Sequence, residues 1–264
     1  MIELICVDVD GTLVGASGEV LPQVWAAVDR VRAAGARLVV CSGRPAFGRT
    51  LEYAARLDPQ GWHVFQNGAS VMHLPSGHSR SRSLPPATVE ELVARARGTG
   101  RILELYTDFD YAVESTGERA RRHAKLLGVP FTPRALLPPP AGVVRAQWLL
   151  SHADAPAVLG EPVAGAILSP STSPVMPDTT FVSVIAPGVD KAAGVRAVAD
   201  EYGVPLDRVM MVGDGANDVG VMSAVGFPVA MANSEPEVLA LTPRHVGHVD
   251  RAGLVEALEL ALRL

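Results

Sequence analysis

The stretch Leu4-Ile5-Cys6-Val7-Asp8-Val9-Asp10-Gly11-Thr12 decides how the chain reads. A short apolar run bounded by acids is the pattern of a strand buried on both faces, as in a parallel sheet. We extend that strand from Glu3 to Val9. Side chains two residues apart on a strand share a side. Asp8 and Asp10 are therefore expected to converge at the carboxyl end, provided the strand runs that far. Gly11 then allows a sharp turn. Ligands of open α/β sheets bind at this edge. Taken alone, such an acid pair also suits a turn or a helix cap.

Working outward, apolar runs alternate with helical periods. Pro22–Ala34 reads as a helix, with Pro22 at its start and Gly35 past its end. Arg37–Cys41 reads as a strand, Pro45–Leu57 as a helix and His63–Gln66 as a third strand. The last third resumes the rhythm. Lys191–Tyr202 is helical, Arg208–Val212 a strand, Asp218–Ala224 a short helix, Phe227–Met231 a strand and Arg251–Arg263 a closing helix. This order predicts an α/β fold, a doubly wound parallel sheet with right-handed crossovers.

The middle of the chain breaks that order. Helices are expected over Pro85–Arg97 and Gly117–Leu127. Strands are expected over Ile102–Tyr106, Tyr111–Glu114, Val143–Leu150, Ala164–Leu168 and Phe181–Ile185. The division expected is a core over 1–84 and 186–264, with an inserted α+β domain over 85–185. Turn-forming residues near Ser83–Pro86 and Ala186–Asp190 mark its edges.

Composition narrows the function. The chain has 264 residues, 48% hydrophobic and 19% charged, which suits a globular protein with a sizeable core. Its net charge of -5 favours neither nucleic acid nor an anionic membrane as a partner. Cys6 and Cys41 lie in apolar runs and read as buried free thiols of a reducing compartment. No apolar stretch is long enough to span a bilayer, and the first residues lack a basic leader. The expected location is the cytoplasm.

A second acidic segment, Gly213-Asp214-Gly215-Ala216-Asn217-Asp218, follows the strand Arg208–Val212. Two carboxylates about 4 Å apart repel by roughly 4 kcal/mol at an effective dielectric near 20. Four of them at one sheet edge call for a cation, and oxygen-only ligation suits Mg²⁺. The candidate metal residues are Asp8, Asp10, Asp214 and Asp218. Cys41-Ser42-Gly43-Arg44 ends the second strand before a helix. The Ser42 hydroxyl and the Gly43 and Arg44 amides there can hold an anion; Ser42 could equally be a simple helix cap. Lys191 opens a helix, where a cation is mildly unfavourable; that favours a functional use, while a solvated surface lysine stays the ordinary reading.

Asp-Val-Asp-Gly-Thr-Leu, Ser-Gly-Arg, a lysine and Gly-Asp-Gly-Ala-Asn-Asp, in this order, resemble the haloacid dehalogenase superfamily and look most like its Cof-type sugar phosphatases. Gln66-Asn67-Gly68, Val229-Ala230-Met231-Ala232-Asn233 and Asp250 are weaker echoes. The resemblance implies an Mg²⁺-dependent phosphatase acting on a small phosphorylated metabolite through an aspartyl-phosphate. Asp8 would be the nucleophile and a metal ligand. Asp10 would be the general acid and base, with its backbone carbonyl on the metal. Ser42 and Lys191 would bind the phosphoryl group, and Lys191 would orient Asp8. Asp214 would be a direct ligand and Asp218 a supporting one. Asn217 and Arg44 would touch phosphate or order the loops. The inserted domain would be a cap. It would carry substrate-reading groups, with Glu104, Tyr106, Arg145 and Gln147 as the candidates on its strands, although each reads first as a surface or packing residue. His123, His152, His245 and His248 read as structural or solvated, and Trp25, Trp62 and Trp148 as core. A phospho-accepting receiver, a phosphosugar mutase and a silent sugar-phosphate-binding regulator are the alternatives.

Overall fold

The computed structural model of the protein describes residues 2–264. The chain begins with β1 (Leu4–Val7), α1 (Pro22–Ala33), β2 (Arg37–Val40), α2 (Arg49–Leu57), β3 (Trp62–Phe65), β4 (Ser70–His73) and β5 (His78–Ser81). Next come α3 (Pro86–Thr99), β6 (Ile102–Tyr106), β7 (Tyr111–Val113), α4 (Glu118–Leu127), β8 (Arg145–Leu150), α5 (Ala155–Leu159), β9 (Ile167–Ser171) and β10 (Thr180–Ile185). The last part comprises α6 (Lys191–Tyr202), β11 (Val209–Gly213), α7 (Val219–Ala224), β12 (Phe227–Met231), α8 (Pro236–Leu241), β13 (His245–Val246) and α9 (Gly253–Arg263).

The first and last parts share one parallel sheet of order β13-β12-β11-β1-β2. All four residues of β1 are buried because both faces are covered. Ile5 and Val7 pack into one apolar cluster with α1 and α9, while Leu4 and Cys6 pack into another with α6 and α7. Burying such side chains is worth about 1.5–3 kcal/mol each, and the alternation holds the strand in register. A parallel bridge from Cys41 to Val64 ties β3 to this sheet. The fold is α/β, as the sequence indicates.

A second, antiparallel sheet of order β7-β6-β8-β10-β9 is built from the middle of the chain. It has its own apolar core, which includes Leu92, Leu105, Trp148 and Val182. Aromatic stacking joins it to the parallel sheet's side. Phe47 stands 6.4 Å from both Tyr106 and Tyr111 between ring centroids.

Several elements differ from expectation. β1 stops at Val7, because the amides of Leu13 and Val14 both turn back to the Val9 carbonyl. Helix α2 starts at Arg49, not Pro45. Residues 45–48 instead form the loop that carries Phe47 to the second sheet, ending at Gly48 with φ +60°. The hairpin β3-β4-β5 is not foreseen from the sequence, since β5 is a polar edge strand. Strand β9 begins at Ile167 instead of Ala164, after a turn at Gly165 whose neighbour carbonyl, Ala164, accepts from the Thr88 hydroxyl.

Candidate active site

The parallel sheet reverses its winding between β1 and β11. The chain proceeds outward through β2 on one side and through β12 and β13 on the other. Such a switch point leaves a crevice at the carboxyl ends of the strands. Asp8 lies just past β1, its amide still bonded to the Val212 carbonyl at 3.0 Å. Asp214 follows β11 and accepts 2.8 Å from the Thr12 hydroxyl. Gly11, at φ +87°, passes so close that a Cβ there would lie 2.1 Å from Asp214 Oδ2. The glycine after the first acid pair thus serves close approach as well as the turn.

Lys191 is the first residue of α6, a helix capped by the Asp190 carboxylate accepting from the Ala193 amide at 2.7 Å. Its Nζ donates to Asp8 Oδ1 and to Asp218 Oδ1, each at 2.6 Å. Burial would lower the Lys191 pKa, but the Asp218 and Asp8 carboxylates more than reverse this and keep it protonated. Asp218 is fully engaged, since its Oδ2 also accepts from the backbone amides of Asp214 (3.1 Å) and Gly215 (3.2 Å). Burial pushes Asp8 up to about 7, against the pull of Lys191 and with the push of Asp218. Burial, then Asp8 and Asp218, drive Asp214 well above the carboxylate range. These are carboxylates short of positive charge.

Asp10 departs from the expected convergence. Because β1 ends early, its carboxylate turns away from that trio and takes a bidentate pair from Arg44 Nε (2.7 Å) and Nη2 (2.8 Å). Ser173, from the loop after β9, donates to Asp10 Oδ1 at 2.6 Å. Burial alone would raise Asp10, but the Arg44 charge and these hydrogen bonds outweigh it and hold the carboxyl below its ordinary value. Ser42 is wholly buried, and its hydroxyl accepts from the Arg44 amide at 3.1 Å. As the structure stands, Ser42 therefore shapes the loop, while Gly43 and Arg44 face the cleft. Asn217 also faces it and donates to Asn67 Oδ1 at 3.1 Å. Asn67 in turn donates to Ser183 of β10.

A cleft open to solvent lies between the two sheets. Asp8, Asp10 and Asp214 line one wall. The other wall corrects the reading of the middle strands and of His123. Arg145, Gln147 and His123 are buried, yet they line the cleft opposite the acids, together with Ser171, Thr172 and Ser173. Glu104 and Tyr106 lie behind them, fully buried. Sequence reasoning passed over Ser173 and gave no role to Thr12 or to Asn233, whose side-chain amide donates to the Gly11 carbonyl at 2.7 Å. Nothing distinguishes these common polar residues until the fold brings them to the acids.

Among the described residues, Asp8, Asp214 and Asp218 form a group whose carboxylate oxygens lie within 4.8 Å of one another. A purely oxygen donor set with raised carboxylate pKa values at Asp8 and Asp214 fits a hard divalent ion such as Mg²⁺. The Asp10 carboxylate is not part of that group. Both cysteines are free and buried. No helix among the described residues is long and apolar enough to cross a membrane.

The profile of the haloacid dehalogenase-like hydrolases matches residues 5–129 and 169–258. The chain belongs to this family. Among relatives of this haloacid dehalogenase-like hydrolase is YxeH of Bacillus subtilis (strain 168), provisionally named a phosphatase. It is 26% identical over 259 residues that cover 90% of each chain. The Escherichia coli (strain K12) 5-amino-6-(5-phospho-D-ribitylamino)uracil phosphatase YbjI is 32% identical over 82 residues, 31% of this chain and 30% of that one. A solved structure, described as the subclass IIB sugar phosphatase BT4131, superposes with a TM-score of 0.82 over 98% of both chains at 20% identity. That last likeness concerns the fold.

Proposed function

We propose that the protein is an Mg²⁺-dependent phosphatase that hydrolyses a small phosphorylated metabolite of the sugar-phosphate type through an aspartyl-phosphate on Asp8. The observation that carries this reading is the Lys191 ammonium 2.6 Å from Asp8, with Asp214 alongside at the sheet's switch point. The phosphatase names of its relatives agree with it.

In this reading Asp8 attacks phosphorus and the ester oxygen leaves. Lys191 holds one Asp8 oxygen, which orients the other, and it balances charge gathering on the phosphoryl oxygens. Asp8 and Asp214 would hold Mg²⁺, with Asp218 bracing them through Lys191 and the two amides. When bound, the ion would offset the phosphoryl charge and the mutual repulsion of the carboxylates. Asp10 protonates the departing oxygen, then takes a proton from the water that cleaves the acyl phosphate, so one group serves both halves. Ionised against Arg44, Asp10 is suited to the second half. For the first half Asp10 must take up a proton from solvent, which requires Arg44 to yield an oxygen, and the entering phosphoryl group is the anion that competes for Arg44. Ser42, Gly43 and Asn217 belong to the phosphate side. Residues 85–185 act as a cap that excludes water, with Ser173 delivered to Asp10 when it closes.

The test is turnover of p-nitrophenyl phosphate with Mg²⁺. Asp8→Asn is expected to lose at least about 10³-fold in kcat while keeping its fold. A folded Asp8→Asn protein with near-normal turnover and no deamidation would refute the nucleophile. Undiminished activity in excess chelator would refute the metal.

A further inference from the structure

Arg145 opens β8 and is 2% exposed. No carboxylate lies within ion-pair distance of it among the described residues. Its Nη1 donates to the Gly43 carbonyl and to Gln147 Oε1, each at 2.6 Å. Its Nε has no partner at all. Glu104 acts on the Arg145 charge without an ion pair: its Oε2 accepts from the Tyr106 hydroxyl at 2.5 Å and sits 2.8 Å from His123 Nδ1, while Oε1 has no partner. The Tyr106 ring lies against the guanidinium, 4.1 Å from its centroid.

Buried charges are ordinarily paired and hydrogen-bonded, because desolvating an unpaired one is costly. The guanidinium fork matches a carboxylate or phosphate in a bidentate way. Arg145 borders the cleft, and the carbonyl it holds belongs to Gly43, next to Ser42 in the loop on the phosphate side. It reaches that loop from the opposite wall, where an ester's leaving group would lie. Gln147, His123, Ser171 and Thr172 surround it there with hydrogen-bonding groups.

Resting on the phosphatase reading of the same cleft, we infer that Arg145, aided by His123 and Gln147, binds a second anionic group on the leaving portion of the substrate. The preferred esters are then those of sugar acids or hydroxy acids, or bisphosphates, over phosphates of neutral polyols.

The experiment compares kcat/KM with Mg²⁺ within matched sets. One set is 6-phosphogluconate and fructose 1,6-bisphosphate against glucose 6-phosphate; the other is 3-phosphoglycerate against glycerol 3-phosphate. The wild type should favour at least one anionic member by about 30-fold or more, and whether carboxylate or phosphate wins identifies the group. Arg145→Met should bring that ratio towards unity, with partial recovery in Arg145→Lys. A wild type preferring the neutral esters overturns the inference, as does a ratio unchanged in Arg145→Met. The wild-type ratio stands even if the variant does not fold. Failure of p-nitrophenyl phosphate hydrolysis would instead sink the phosphatase reading. Binding of 3-phosphoglycerate and glycerol 3-phosphate to Asp8→Asn protein with Mg²⁺ then decides the matter. Tighter binding of the acid by about 30-fold supports Arg145's role, and equal binding ends it.

Discussion

Lys191 joins two carboxylates from strands that are far apart in sequence, so its removal strands both. In Lys191→Met, Asp8 and Asp218 lose their shared cation in a fully buried setting. Removing one member of a buried ion pair costs about 3–5 kcal/mol. Urea denaturation should show a loss of that order, and p-nitrophenyl phosphate turnover should fall by at least about 10³-fold. Asp214→Asn tests the metal without turnover: Mg²⁺ should raise the wild-type Tm and fail to raise the variant's. An equal Mg²⁺ shift in both would remove Asp214 from the metal site. At this scale the sequence was most legible where chemistry uses rare patterns. The aspartates and Lys191 stood out by position. Arg145 was one of four candidates in the inserted domain and read first as a surface or packing residue, because on a strand of alternating character a cation reads as solvent-facing. Only the apposition of two sheets turns it inward. Ser173 was equally hidden, as a serine in a loop carries no periodicity.

Elements show the same division. The strands β1, β2, β11 and β12 were plain, since burial on both faces leaves continuous apolar runs. The hairpin after β3 was not, because β5 is a polar edge whose pairing depends on its neighbour alone. His63 on β3 offers a test of that region. Its Nδ1 accepts from the Val40 amide at 3.0 Å, and its Nε2 faces the Asp58 carbonyl at 2.9 Å. Burial lowers it to about 4. The folded state thus keeps His63 neutral while the unfolded chain protonates near 6.5. Its stabilisation is full above that pH and is lost as pH falls through about 4. The loss is about 3 kcal/mol. Stability measured from neutral pH down to about 4 should decline more steeply in wild type than in His63→Gln, and matching slopes would contradict this. Gly68 gives a second test. At φ +89° its Cβ position would fall 2.0 Å from the Asp190 carbonyl. Gly68→Ala should therefore displace the start of α6, lowering both stability, by about 1–3 kcal/mol, and kcat through Lys191.

Across the whole molecule, the two sheets meet through polar contacts, one aromatic group and a small apolar cluster of Ala69, Val144, Ile185, Ala186 and Val189. Ser173 reaches Asp10, Arg145 reaches Gly43, and Gln66 donates to the Thr107 carbonyl at 2.9 Å. Phe47 stacks on Tyr106 and Tyr111. Aromatic pairs add about 0.5–1.5 kcal/mol beyond burial, so Phe47→Ala should shift a closed–open equilibrium by up to about tenfold. Faster proteolytic cleavage near residues 83–86 and 186–190 would report it, and cleavage at the wild-type rate would count against a moving cap. The loop bearing Phe47 was read as helix because its composition allows one; the pull of a distant sheet is not written locally.

The central strand β1 has its neighbours at unequal distances along the chain: β2 follows within about thirty residues, whereas β11 arrives some two hundred later. During synthesis the ribosome therefore releases Asp8 long before Lys191, Asp214 and Asp218, which surround it. One flank of β1 waits bare of its ladder throughout that interval, a ready template for wrong pairing. If the site works as proposed, the nascent chain is inert until its last quarter emerges, and the bare flank of β1 stays exposed to wrong pairing until then.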